Sequence, residues 1–175
     1  LKCIRFLQFI RLIIINIFIM KGNNLVLYKK SLEISFIQRE VIVGTLLGDS
    51  TIVKQKLNSN YNVKFEQKFE SKAYVYHLYE IFKNFVGTGP ALREIRGGGS
   101  IERYTYWFRT YRHSCFTEYY NIFYKNGKKI VPLDIEKFLT ARSLAYWFMD
   151  DGHKEHGYYV LNTYAFTVEE QLILV

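Results

Sequence analysis

The chain has 175 residues, a formal net charge of +8 (pI ≈ 9.4) and an apolar fraction of 49%. That length allows one substantial core or two small ones, and the apolar content, with few prolines, excludes an intrinsically disordered chain. Cys3 and Cys115 are the only cysteines, which excludes a disulfide framework and a cysteine zinc site, and the positive charge suits a polyanionic partner.

Residues 1–20 are largely apolar and carry Lys2, Arg5 and Arg11. The nine residues between Arg11 and Lys21 are too few to cross a bilayer. No acid precedes Glu33, so the segment reads as an organellar presequence. Because the chain opens on Leu1, it also reads as translation through upstream sequence, with Met20 as the start. On either account residues 1–30 are expected to lie outside the fold.

Residues 37–49 predict a helix with apolar positions on several sides, hence a buried one. Residues 51–57 and 62–69 predict a hairpin turning at Asn58-Ser59-Asn60. Ser71 is expected to cap a helix over 71–85 whose apolar face is Tyr74, Leu78, Ile81, Phe82 and Phe85, stopped by Gly87 and Gly89-Pro90. A second hairpin, 91–96 with 102–110, turns through Gly97-Gly98-Gly99-Ser100. That glycine run is not a phosphate loop, because no lysine-bearing helix follows it. Ser114 is expected to cap a helix over 114–124, closed by Asn126-Gly127. The order is αββαββα.

The pattern then restarts. A short helical lead at 133–139 precedes a helix capped by Thr140, then a hairpin of 153–155 with 158–164 through His156-Gly157. Thr167-Val168-Glu169-Glu170 is a capping box that opens a last helix. The reading is therefore an α+β chain with pseudo-twofold αββαββα units: residues 31–132 are the first, and residues 133–175 are an incomplete second. A chain lacking the rest of that unit is expected to be poorly soluble and weakly active or inactive alone.

Ile42-Val43-Gly44-Thr45-Leu46-Leu47-Gly48-Asp49-Ser50 and Leu144-Ala145-Tyr146-Trp147-Phe148-Met149-Asp150-Asp151-Gly152 each run as an apolar helix into an aspartate and a small residue. A helix C-terminus carries partial negative charge, so a carboxylate there is disfavoured. Gly44 with Gly48, and Ala141 with Ala145, lie one turn apart and allow close helix approach. If the two helices pack in parallel, Asp49 and Asp151 meet, and a divalent cation with oxygen ligands relieves their repulsion. Asp150 lies about 100° around the helix from Asp151 and is expected to point elsewhere, in a capping or structural role.

These two runs resemble the paired signature of the LAGLIDADG homing endonucleases. Phe65-Glu66-Gln67, Phe108-Arg109-Thr110, the stretch from Phe123 to Pro132, and Leu161-Asn162-Thr163 resemble the single-chain, intron-encoded branch of that family. The likeness runs from about Ile37 to the last residue, and the second signature is its most specific part. It implies a double-strand DNA endonuclease using Mg2+ (or Mn2+) held by Asp49 and Asp151. It further implies a basic residue after the third helix, Lys129 (or Lys128), and a polar residue near the end of the second strand, Gln67 (or Lys68), supporting metal-bound water.

DNA contact is expected on the strands, since a two-stranded ribbon fits the major groove. Alternation puts Asn62, Lys64, Glu66 and Lys68 on one face and Val63, Phe65, Gln67 and Phe69 on the other. The candidates are Lys54, Lys56, Lys64, Lys68, Arg93, Arg96, Arg103 and Arg109, some for phosphates and some for bases. His153 and His156 form an H-x-x-H pair with no second pair nearby, which argues against zinc.

Two further readings compete. One is a maturase that binds intron RNA and needs the basic surface without the acids. The other is a membrane-associated fragment using the basic, apolar N-terminus. The endonuclease reading carries expectations of a pseudo-symmetric monomer, no small-molecule substrate, and an organelle, the mitochondrion before the chloroplast.

Overall fold

The computed structural model describes residues 22, 24–97 and 99–175, which fall into two compact units, Leu1–Glu33 and Ile34–Val175. In the first unit, residues 24–30 are helical and end where the Ser31 hydroxyl donates to the Tyr28 carbonyl at 2.9 Å. The apolar, basic run of residues 1–20 lies outside the described residues. Among the described residues no helix is long and apolar enough to cross a membrane.

The second unit begins at helix α1, Phe36–Leu47. A capping box starts it: Ser35 Oγ accepts from the Gln38 N–H, and the Gln38 side chain accepts from the Ser35 N–H. Glu40 to Leu47 are all buried, so the helix is enclosed on every side beyond its exposed first turn at Phe36, Ile37 and Arg39, as its apolar run predicts.

Strands β1 (Thr51–Val53), β2 (Asn62–Lys68), β3 (Ala91–Gly97) and β4 (Ser100–Arg109) form one antiparallel sheet in the order β1-β2-β4-β3. β1 is shorter than predicted. Residues 54–58 are exposed and have no apolar side to bury, and the Lys56 carbonyl instead accepts from the Ser59 hydroxyl at 3.0 Å, closing a turn.

Helix α2, Lys72–Phe82, covers one face of the sheet. Its buried positions are Val75, Leu78 and Phe82, and Phe85 follows in a short 3₁₀ turn. Tyr74 and Ile81 are only half-buried. Ser71 makes no side-chain cap, because a 3₁₀ turn over Phe69–Ser71 leads directly into the helix. Phe65 packs on Phe82 and Phe108 at ring separations of 5.0 and 4.9 Å. Phe85, Phe116 and Phe123 are also fully buried, and each such ring contributes about 1.5–3 kcal/mol by leaving water.

Helix α3, Ser114–Phe123, is capped by His113, whose Nδ1 accepts from the Cys115 N–H at 3.3 Å, rather than by Ser114. Asn126 and Gly127 (φ 53° and 78°) do not close this helix, which ends at Phe123 with Tyr124 already extended. They form the two-residue turn of a small hairpin, β5 (Tyr124–Lys125) with β6 (Lys128–Lys129), where both turn residues need positive φ. That turn reverses the chain and carries Lys129 back toward the end of α1.

Helix α4, Ala141–Asp151, starts at Thr140, whose hydroxyl accepts from the Ser143 N–H. A hairpin of β7 (Gly152–Glu155) and β8 (Tyr158–Leu161) and helix α5, Val168–Ile173, follow. α1 and α4 run in parallel: Glu40 meets Thr140 and Arg142, Gly44 meets Ser143 and Tyr146, and Gly48 meets Asp150. Gly44 and Gly48 are at the contact, as expected. Ala141 and Ala145 are not: both are exposed, and α4 turns Ser143, Tyr146 and Trp147 inward instead. The bulky aromatic pair buries more apolar area than two alanines can, and that sets the rotation of the helix.

Candidate active site at the paired helix ends

Parallel packing brings the C-terminal ends of α1 and α4 to one point. Asp49 follows α1 and is exposed, while Asp150 and Asp151 end α4 and are half-buried. Asp150 does not turn away as expected. Its Oδ2 accepts from the Asp49 N–H at 3.1 Å, and its Oδ1 accepts from Gln67 Nε2 at 3.0 Å. It fits there because Gly48 has no side chain; a β-carbon would lie 2.4 Å from Asp150 Oδ2. Asp150 thus receives a backbone N–H of the opposite helix's terminal turn. It serves a structural role, but within the cluster.

Gln67 is at this point because β2 ends here. Its Nε2 also donates to Asp49 Oδ2 at 2.9 Å, bridging the two acids. Lys129, delivered by the small hairpin, donates through Nζ to the Gly48 carbonyl at 2.7 Å and the Ser50 carbonyl at 2.8 Å. Those are orphan acceptors at the negative end of α1, where an ammonium is favoured. Lys128 is exposed, and Lys68 lies on the sheet beside the cluster rather than in it.

The electrostatics follow from placing two half-buried acids beside an exposed third. Burial, reinforced by the charges of Asp49 and Asp151, pushes the Asp150 carboxyl up to about 7, against the opposing hydrogen bonds of the Asp49 N–H and Tyr74. Asp151 is raised by burial and then by the charge of Asp49. Lys129 is lowered by burial, while the three aspartates pull it back. Tyr74, buried against Asp150, has its hydroxyl raised for the same two reasons. Sequence reasoning missed Asp150 and Tyr74. The doubled aspartate was the available signal, but its use depends on where the neighbouring helix lies.

The basic candidates sort by strand register. Lys64 faces Arg109, Glu66 faces Trp107, Lys68 faces Thr105, Thr105 faces Arg93, and Ile95 faces Arg103. Lys64, Lys68, Arg93, Arg103 and Arg109 therefore share one face of the sheet. Arg96 is not on it: alternation along β3 puts Glu94 and Arg96 on the opposite face from Arg93 and Ile95, and Arg96 pairs with Glu94 at 2.6 Å. Lys54 and Lys56 lie in the loop after β1, with Lys54 over the Tyr61 ring at 5.0 Å. A groove of about 480 Å³ runs along the basic face, with Lys64, Lys68 and Arg103 on its walls, and ends on Asp49, Gln67 and Asp150.

His153 and His156 flank Glu155 at 3.6 and 3.9 Å. Among the described residues no group of three or more His, Cys, Asp or Glu has metal-holding geometry. The donors at the helix ends are carboxylates without sulfur or imidazole. That set fits Mg2+, which binds through one or two carboxylates plus water and substrate phosphates.

The sequence model of the LAGLIDADG DNA endonuclease family matches residues 39–175. The chain belongs to this family. A similar protein is the probable intron-encoded endonuclease 1 of Wickerhamomyces canadensis, 37% identical over 157 residues that cover 85% of this chain and 67% of that protein. Another is the cytochrome b mRNA maturase bI2 of Debaryomyces hansenii, 32% identical over 154 residues, 86% of this chain and 58% of that one. Among solved structures, the homing endonuclease I-WcaI bound to its DNA recognition sequence superposes with a TM-score of 0.76 at 37% identity, covering 85% of this chain and 69% of that chain. The LAGLIDADG fold predicted from the paired signatures is thus the fold of this chain, which spans about 58–69% of these relatives' lengths.

Proposed function

We propose that this chain acts in a site-specific endonuclease that hydrolyses both strands of DNA, with Mg2+ (or Mn2+) held between Asp49 and Asp151. One observation carries the reading: the groove along the basic sheet face ends on the aspartates where the two helices meet. A duplex lying on Lys64, Lys68, Arg93, Arg103 and Arg109 meets the clustered aspartates at one end of that face, so cutting there and not elsewhere is a matter of position.

Bound metal would lower the pKa of a water and offset charge on the scissile phosphate. The protein's own groups hold that arrangement. Gln67 fixes Asp49 Oδ2 and leaves its other oxygen uncommitted by that bond. Lys129 neutralises the carbonyl end of α1, so that two like-charged carboxylates are tolerated side by side. Asp150 ties the two helix ends together through the Asp49 N–H. Relatives named as an intron-encoded endonuclease and as a cytochrome b mRNA maturase support an organellar, mitochondrial product, and the meeting of both signature helices within one chain supports a pseudo-symmetric monomer.

The test is cleavage by the complete protein, expressed from its full reading frame, on a plasmid library of candidate sites with Mg2+. Discrete cutting that disappears in Asp49→Asn and in chelator is the expected outcome, and full activity in Asp49→Asn overturns the reading. The likeness to a cytochrome b mRNA maturase favours a second role, binding intron RNA. RNA binding that survives Asp49→Asn is its signature.

A further inference from the structure

The groove floor contains one feature that suits a polyanion poorly. Glu66 lies on the DNA-facing side of β2 among the cations, with its side chain 21% exposed. It is paired with Lys64 on its own strand and with Arg93 from β3 at 3.4 Å, and it accepts from the Thr105 hydroxyl of β4 at 2.7 Å. One carboxylate thus ties three strands. Burial works to raise its pKa, but the bonds from Lys64 and Thr105 and the charge of Arg93 outweigh burial, so Glu66 stays ionised.

An ionised carboxylate beside phosphates costs affinity, so its use lies in direction. It holds Lys64 and Arg93 in place by direct pairing. Lys64 is only 24% exposed and Arg93, from the edge strand β3, is tied to Glu66 at 3.4 Å, whereas Lys68, Arg103 and Arg109 are exposed and make no pair with Glu66. Reading a base edge needs donors held in a fixed geometry, whereas a phosphate is met equally well by an unpaired, flexible cation. The donors match base chemistry as well: Lys and Arg pair with guanine O6 and N7, and a carboxylate accepts from cytosine N4.

We propose that Glu66, Lys64 and Arg93 form a base-reading cluster that selects a G·C pair, while Lys68, Arg103 and Arg109 hold phosphates. This rests on the proposed DNA-cleaving function and assigns specificity within it.

The experiment is selection of bound duplexes from a randomised pool by the complete protein and its variants, with affinity measured across salt concentrations. Glu66→Gln keeps an acceptor for Thr105 and is expected to fold; Lys64→Ala is the second variant. Both should lose about 10-fold or more of discrimination at one G·C position, and Glu66→Gln should bind unselected DNA as tightly as the parent or tighter. Lys68→Ala, Arg103→Ala and Arg109→Ala should weaken all sequences alike and reduce the salt slope by about 1 each. A uniform change in Glu66→Gln and Lys64→Ala, with base preference intact, overturns the assignment and leaves the nuclease reading standing. A parent protein with no sequence preference removes both.

Discussion

Gly44 packs against Ser143 so closely that a β-carbon on Gly44 would sit 2.2 Å from the Ser143 carbonyl oxygen. This contact sets the separation of the two helices whose ends carry the aspartates. In Gly44→Ala the usual helix gain of about 0.5–1 kcal/mol is outweighed by overpacking, because the obstacle is backbone and has no rotamer to adopt. The variant should lose about 1–3 kcal/mol in urea unfolding. Cleavage should fall with it, since the helix ends part.

Glu40 ties the other ends of the same helices. Its carboxylate accepts from the Thr140 hydroxyl at 2.6 Å and pairs with Arg142. The Thr140 bond, followed by Arg142, holds its pKa below the ordinary 4.5, against burial. A lowered pKa adds stability above the unfolded value, and that stability drains away as pH falls through the folded value. Glu40→Gln should therefore melt lower than the parent at pH 7, and the gap should narrow as pH falls below the ordinary 4.5 in melting curves taken across pH.

Asp150 and Asp151 are adjacent but hold different positions. Asp151→Asn removes a proposed metal ligand and should abolish Mg2+-dependent cleavage while leaving DNA binding intact. Asp150→Asn keeps an oxygen for the Asp49 N–H and should retain measurable cutting. Equal, complete loss in both variants, by plasmid cleavage and filter binding, would contradict this division.

Lys129→Met keeps the length of the side chain and removes the ammonium. Two carbonyls at the end of α1, Gly48 and Ser50, lose their donor. The expected loss of stability is about 1.5–3 kcal/mol, typical of hydrogen bonds to a charged group. Cleavage should drop by about 10²-fold or more, as when one preorganised charge is removed from a site. Chemical denaturation and single-turnover cutting read the two effects separately.

Much of this protein could be read without coordinates. The αββαββα order, the Thr140 cap and the Thr167 capping box follow from interactions spanning three or four residues, which sequence records directly. The two aspartates drew attention because a carboxylate at a helix C-terminus is unfavourable wherever the helix sits. Gln67 and Lys129 entered through family resemblance. Spacing alone does not reveal that a hairpin turn at Asn126-Gly127 returns Lys129 to the end of α1.

Only the tertiary structure decided the rest. The inward face of α4 is set by what it packs against, so Ser143, Tyr146 and Trp147 replaced the alanines. Asp150 turned into the cluster because Gly48, on another helix, leaves room for its carboxylate. Arg93 of β3 met Glu66 of β2 across the intervening strand β4, which the pairing order of the sheet decides. Periodicity tells which residues of one element share a side, because that is a property of its own backbone. Which side faces which neighbour is fixed by packing between distant segments, and no local pattern encodes it.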